Sequence, residues 1–179
     1  MELRYEMVTT ENLPSDGLDG FVRTQPVTLV WRKMKGEWKI IKAPFTDDWS
    51  PARKREKAAE LRSGEMTVFG AFDGERLVGF AGLRGQPVGD RLILETMQVS
   101  APYRRNGIGA ALFRQAEAEA IRRGAKELYI SAESAVETVA FYRAMGAAFT
   151  DEPIPEMAKA EPWDAQMTLK LTKKDTETL

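Results

Sequence analysis

The apolar residues of this 179-residue chain change their spacing along its length, and the changes mark out elements. Alternation comes first. Leu3 to Thr9 reads as a strand, and "ENLPSDGLDG" after it is a loop rich in turn formers. Val27–Met34 and Trp38–Lys42 are β-favouring runs around "KGE", which predicts a hairpin. "APFTDDWSP" then leads into a helix, with Ser50 as N-cap, Pro51 at the first helical position and an end near Ser63-Gly64. In "MTVFGAFDGERLVGFAGL" two strand-like runs flank Asp73-Gly74, a pair suited to a tight hairpin turn. Arg91–Ser100, "RLILETMQVS", is another strand. Its continuous apolar run Leu92–Leu94 fits a strand covered on both faces.

Beyond Ser100 the period lengthens. Ile108, Leu112, Ala116 and Ala120 recur at helical spacing, Arg122 and Arg123 complement the negative end of the helix dipole, and Gly124 closes the helix. "ELYISA" is a short strand. Ser134–Met145 reads as a helix, with Val136, Ala140, Phe141 and Ala144 on one side and Gly146 as its cap. Met167, Leu169 and Leu171 alternate with Gln166, Thr168 and Lys170 in a half-buried final strand, and residues 173–179 form a tail expected to fray. The order predicts an α/β fold: antiparallel strands, a strand–helix–strand unit with a right-handed crossover between parallel strands, then a helix and closing strands. There is no internal repeat or low-complexity linker, so the whole chain is expected to be a single domain.

Composition narrows the chemistry. The formal net charge is −1, which provides no global field for nucleic acid or an anionic membrane. The basic run "ARKREKAAE" is interleaved with Glu56 and Glu60 and reads as a solvated helix face. The chain has no cysteine and no histidine, which excludes disulfides, Cys nucleophiles, His-containing triads and the usual zinc sites. Proton transfer must fall to Glu, Asp, Tyr, Lys, the backbone or water. No apolar signal segment and no run of ~20 apolar residues is present, so a soluble cytoplasmic protein is expected.

The strongest chemical signal is "PYRRNGIGAALF", residues 102–113. A strand ends before it and a helix starts at Gly107, so unpaired N–H groups and the positive dipole end create an anion site. Gly107 and Gly109 carry no Cβ, and Arg104 and Arg105 can add charge-assisted bonds. The spacing is neither a Walker A loop nor a dinucleotide G-x-G-x-x-G. Arg104, Gly107 and Gly109 match Q/R-x-x-G-x-G/A, and "LYISAESAVETVAFYRAMGAAF" downstream carries Phe141-Tyr142 and Gly146. Together these segments resemble the GCN5-related N-acetyltransferases, the GNAT superfamily, from about Met66 to Phe149 plus the final strand.

The resemblance implies a GNAT fold: a mixed central β-sheet flanked by helices, with the family's parallel strands four and five splayed to admit acetyl-CoA. It implies that Met97, Gln98 and Val99 meet the pantetheine arm, that the Met97 N–H polarises the thioester carbonyl, and that Arg104, Arg105, Asn106, Gly107, Ile108, Gly109 and Ala110 hold the pyrophosphate. Tyr142 matches the family tyrosine that protonates the departing thiolate. Glu95, the only carboxylate in "LILETMQVS", shares a face with Met97 and is the candidate base. Where the family often has an asparagine contacting pantetheine, this chain has Ala135, with Ser134 and Glu133 as substitutes. No metal is implied.

Residues 20–50 depart most from the family and are expected to be an acceptor-side insert. Trp31, Trp38, Phe45 and Trp49 either line an acceptor pocket or pack the hairpin on the core, and Asp47 or Asp48 can attract a cationic amine. The expected reaction is acetyl transfer from acetyl-CoA to a primary amine in a ternary complex. The acceptor is a small molecule, or alternatively a protein N-terminus or lysine. A CoA-binding scaffold without catalysis is the rival class, against which Tyr142 and Glu95 argue. A homodimer through an exposed edge strand is compatible with the pattern.

Overall fold

The computed structural model describes residues 2–172. The tail expected to fray lies outside the described residues. The chain runs β1 (Leu3–Met7), β2 (Thr24–Met34), β3 (Glu37–Asp48), α1 (Pro51–Arg62), β4 (Met66–Asp73), β5 (Arg76–Arg84), β6 (Arg91–Val99), a single 3₁₀ turn (Ala101–Tyr103), α2 (Ile108–Arg122), β7 (Glu127–Ala132), α3 (Val136–Ala144), β8 (Ala148–Phe149), α4 (Pro155–Ala160) and β9 (Ala165–Lys170). Seven strands form one mixed sheet in the order β1-β4-β5-β6-β7-β9-β8, and β2 and β3 form a separate two-stranded sheet.

Local chemistry explains most boundaries. Ser50 caps α1 by accepting a 3.1 Å hydrogen bond from the Arg53 N–H, Pro51 opens it, and Gly64 turns the chain away at φ +80. The basic face of α1 is ion-paired, with Arg53 against Glu56 and Glu60 and Arg55 against Asp19. Asp73 pairs with Arg76, so the β4–β5 turn is Gly74-Glu75, one residue later than Asp73-Gly74. Only Gly74 needs positive φ there, at +61, the pattern of a turn with glycine first.

Three elements differ from the sequence expectation. β3 continues through Pro44 to Asp48 because the β2–β3 register shifts between Val27 and Leu29, leaving Pro44 at an irregularity where no ladder bond is required. In α3 the buried side chains are Val139 and Tyr142, while Ala140 and Ala144 are exposed; two alanines demand little burial, and the tyrosine ring takes the inner face. β9 lies between β7 and β8 and buries Gln166 as well as Met167 and Leu169, so it is covered on both faces rather than one. The elements β8 and α4 are too short to leave a period in the sequence.

The main core lies between the sheet and α2. Ile108, Leu112, Phe113, Ala116 and Ala120 of α2 pack against Val78, Ala81, Leu83, Leu92, Leu94, Leu128 and Ile130. Close approach is enforced at Gly79, where an added Cβ would lie 2.9 Å from Ile108 Cγ2 and 3.1 Å from Leu112 Cδ1. A second cluster packs α1 and the loop after β1 on the sheet, through Leu13, Leu18, Phe21, Ala58, Leu61, Phe72 and Phe80. The β2–β3 hairpin is tied to the segment between β7 and α3: the Trp31 N–H donates to the Ser134 carbonyl at 2.8 Å, and Val30 bridges Ala135.

Candidate active site

β6 and β7 are the one parallel neighbour pair in the sheet, and their pairing runs only from Arg91↔Glu127 to Leu94↔Ile130. Both strands continue past it, β6 to Val99 and β7 to Ala132. Beyond the last pair a cavity of about 1040 Å³ opens, lined by Leu94–Val99 of β6 and by Ile130–Glu133 at the end of β7. The opposite edge of this part of β6 stays paired with β5, Met97 with Ala81, Gln98 with Phe80 and Val99 with Gly79. The strand is therefore rigid on one side and faces a ligand-sized space on the other.

The turn after β6 completes one wall. Arg105 at φ +67 and Gly107 at φ +77 are both left-handed, and they swing the chain sharply into α2. Arg105 has a Cβ and is held in a conformation costly for such a residue. Gly107 is the N-cap of α2, has no side-chain cap bond, and the first turn contains no acidic residue. The Ala111 N–H, at 3.0 Å from the Gly107 carbonyl, makes the first helical bond, so the N–H groups before it are without intrahelical partners. Donors and dipole together fit an anion such as a diphosphate.

The predicted phosphate-loop residues divide by role. Arg105, Gly107, Ile108, Gly109 and Ala110 line the cavity. Arg104 also reaches it, but its guanidinium donates to the Val99 and Thr24 carbonyls, both at 3.0 Å, and so braces the turn against β2. Asn106 braces the turn from within, its amide donating to the carbonyls of Tyr103 and Arg104. Ile108 is also a core residue.

Tyr142 projects from α3 into the same cavity. It is 7% exposed, and its hydroxyl has no hydrogen-bond partner among the described residues. Burial, reinforced by the charges of Asp164 and Glu133, pushes its pKa far above the usual phenol range. The hydroxyl stays protonated at any working pH. Glu95 lies on the β6 wall, exposed, and accepts from the Arg84 Nε–H. Arg84 is also 3.6 Å from Glu156.

The aromatic insert separates into two groups. Trp31 and Trp38 pack against Phe149 with ring centroids 5.4 and 4.3 Å away, and Phe45 is exposed. Trp49 lines the cavity, stacked with Phe21 at 6.1 Å. Asp47 lines the cavity too, whereas Asp48 accepts from Thr24 Oγ1 and from the Trp49 N–H outside it.

A polar wall of the same cavity joins two sequence candidates, Asp47 and Glu133, with Arg23 and Asp164, which the sequence did not mark. Arg23, 3% exposed, donates to Asp47 and, at 3.4 Å, to Glu133. Burial pushes the Glu133 carboxyl up to about 7, helped by the Asp47 carboxylate within hydrogen-bonding reach and opposed by Arg23. Beside it runs a chain of hydrogen bonds. Tyr129 donates to Gln166 Oε1, Gln166 Nε2 donates to Ser131 Oγ at 2.9 Å, and Ser131 donates to Asp164 Oδ2 at 3.0 Å. Burial raises the Asp164 carboxyl as well. Glu133 was named from the sequence only beside Ala135, as a substitute for the family's asparagine; Arg23 and Asp164 sit in turn-rich segments with no pattern to mark them. Among the described residues, no group of three or more acidic side chains is arranged to hold a metal, and no helix is long and apolar enough to cross a membrane.

The sequence model of the Acetyltransferase (GNAT) family matches residues 35–147 of this chain. The chain belongs to the GNAT family. A streptothricin acetyltransferase of Streptomyces lavendulae is 29% identical over 143 residues, covering 75% of each chain. Among solved structures, a nourseothricin acetyltransferase superposes with a TM-score of 0.71 at 19% identity, over 96% of this chain and 100% of the other. A presumed streptothricin acetyltransferase of Bacillus anthracis strain Ames, solved with acetyl coenzyme A, superposes with a TM-score of 0.69 at 14% identity, over the same shares. The expected GNAT fold is thus the observed one, and the helix-start turn and the β6–β7 opening are parts of an acetyltransferase.

Proposed function

We propose that this chain moves an acetyl group from acetyl-CoA to a primary amine of a small molecule, by direct attack within a ternary complex. One observation carries the reading: a single cavity is lined by β6 and β7 past their last paired residues, by the uncapped start of α2 and by the Tyr142 hydroxyl. The backbone of Met97, Gln98 and Val99 pairs with the pantetheine arm, and the Met97 N–H donates to the thioester oxygen as charge develops there. The N–H groups from Arg105 to Ala110 hold the diphosphate, with Arg104 and Asn106 keeping the turn in shape. When bound, acetyl-CoA supplies an acyl group already activated as a thioester.

Tyr142 donates its proton to the departing sulfur. Burial makes the phenol a weak acid, so its proton transfer to a thiolate, whose parent thiol has a pKa of about 8.5, goes together with uptake of a proton from the acylated nitrogen. No cysteine exists to form a thioester with the protein, which favours direct attack. Asp47 and Trp49 of the hairpin side face the cavity and provide charge and an aromatic surface for the acceptor. The Streptomyces relative, a streptothricin acetyltransferase, supports a small acceptor.

The absence of cysteine also makes the test clean, since a thiol reagent then sees only released CoA. Steady acetyl-CoA-dependent thiol release with streptothricin, an aminoglycoside or a polyamine is expected, and peptide amines should be poor acceptors. Tight acetyl-CoA binding with no release for any amine would contradict the reading and leave a non-catalytic CoA binder. Preference for peptides would move the acceptor to protein.

A further inference from the structure

The proposed reaction needs a base, because a primary amine arrives protonated and must lose that proton to attack. Two carboxylates on the cavity wall are candidates, and their surroundings differ. Glu95 is exposed and engaged by the Arg84 guanidinium, which also faces Glu156. Taking up a proton there would break an existing ion pair. Glu133, at the C-terminal end of β7, is different. Its Oε2 is 3.4 Å from Arg23, while its Oε1 is buried and has no hydrogen-bond partner. The Glu133 side chain is 27% exposed on the cavity wall, with Asp47 beside it and only this longer contact to Arg23, so it can take up a proton without losing a close ion pair. Tyr142, a residue 7% exposed, lines the same cavity. Base and acid thus face one space, from the end of β7 and from α3.

We propose that Glu133, rather than Glu95, takes the proton from the acceptor's attacking amine, and that Asp47 beside it draws the cationic amine into place. This rests on the acetyltransferase reading above. The step balances. The ammonium gives one proton to Glu133, the free nitrogen pair forms the C–N bond, and the C–S bond breaks as Tyr142 protonates the sulfur. The second nitrogen proton restores the Tyr142 hydroxyl, and Glu133 returns its proton to solvent. The charged groups facing Glu133 are Asp47 on β3, Arg23 in the loop before β2, Asp164 before β9 and Arg104 in the turn after β6. The two acidic ones favour the protonated carboxyl and Arg23 opposes it, leaving a group that titrates near neutrality, where a base is most effective.

The test compares Glu133→Gln, Glu95→Gln and wild type in thiol release with streptothricin and a polyamine across pH 5 to 9. Wild-type kcat/KM should fall on the acid side with an apparent pKa near 7. Glu133→Gln should lower kcat by about 100-fold or more, remove that acid limb and keep the melting-temperature rise caused by acetyl-CoA. Glu95→Gln should keep the limb. A second readout needs no acceptor. Because folding raises the Glu133 pKa, the folded state holds its proton more tightly, and stability falls as pH rises from the ordinary carboxylate range through about 7. Glu133→Gln should therefore melt a few degrees above wild type at pH 8 and at nearly the same temperature at pH 4.5. If Glu133→Gln turns over within about threefold of wild type with the acid limb intact, or if Glu95→Gln abolishes the limb, the assignment is wrong while the acetyltransferase reading stands. If wild type releases no CoA with any amine, both fall together.

Discussion

Gly107 and Gly109 lie two residues apart, yet alanine at the two positions should have opposite consequences. Gly107 adopts φ +77, and an added Cβ there meets nothing within 4 Å. The cost of Gly107→Ala is therefore backbone strain alone, about 1–2 kcal/mol, partly offset by roughly 0.4–1 kcal/mol from the stiffer unfolded chain. A net loss of about 1 kcal/mol lowers the melting temperature of a chain this long by roughly 2–4 °C. Relaxation of that turn also moves the N–H donors at the start of α2. Losing one hydrogen bond to a charged group, about 1.5–3 kcal/mol, weakens CoA about tenfold to hundredfold. Gly109 has ordinary helical backbone, and its added Cβ would lie 3.4 and 3.5 Å from the Phe141 ring and 3.8 Å from Val99, ordinary contacts that require no backbone shift. Gly109→Ala should gain up to about 1 kcal/mol from helix propensity and melt above wild type. The assay is thermal unfolding of each variant alone, followed by titration calorimetry with CoA. A Gly107→Ala protein with unchanged melting and affinity would refute the strain argument. A Gly109→Ala protein that melts below wild type would refute the propensity argument.

Two further substitutions probe other parts of the account. Tyr142→Phe should lower kcat at least tenfold while leaving CoA affinity within about twofold, measured by thiol release and calorimetry; equal turnover would remove the tyrosine from proton transfer. Tyr129→Phe removes the hydroxyl that donates to Gln166 and accepts from the Ile154 N–H at 3.0 Å, both buried. Denaturant unfolding should show a loss of about 1–3 kcal/mol, and an unchanged midpoint would mean that the chain from Tyr129 to Asp164 contributes nothing.

Much of the donor side was legible in the sequence because it depends on backbone. A strand, two glycines and an amphipathic helix leave a clear trace in residue spacing, and the Gly107–Gly109 turn needs glycine where the chain becomes left-handed. Tyr142 became a candidate through the family resemblance of "AFYRAMG", although the inner face of its helix was not legible: with two alanines on offer, the period could not say which side chains turn inward. The candidate acceptor side was legible only in part: Asp47, Trp49 and Glu133 were named from the sequence, Arg23 and Asp164 were not. Arg23, Asp47, Glu133 and Asp164 come from four distant segments, and only the packing of the β2–β3 hairpin over the end of β7 brings them together. Long-range assembly of single polar residues imposes no period on a sequence. The same holds for Arg84, whose grip on Glu95 distinguishes the two carboxylates and could not be read from "LILETMQVS".

The central claim is that backbone N–H groups of the β6 edge and of the turn into α2 hold acetyl-CoA. Amide hydrogen exchange with and without saturating acetyl-CoA reads those groups directly. Slowed exchange is expected at Met97–Val99 and at Arg105–Ala110, with β1 and α1 unchanged. Exchange unaffected at both segments, or protection confined to other parts of the fold, would contradict it.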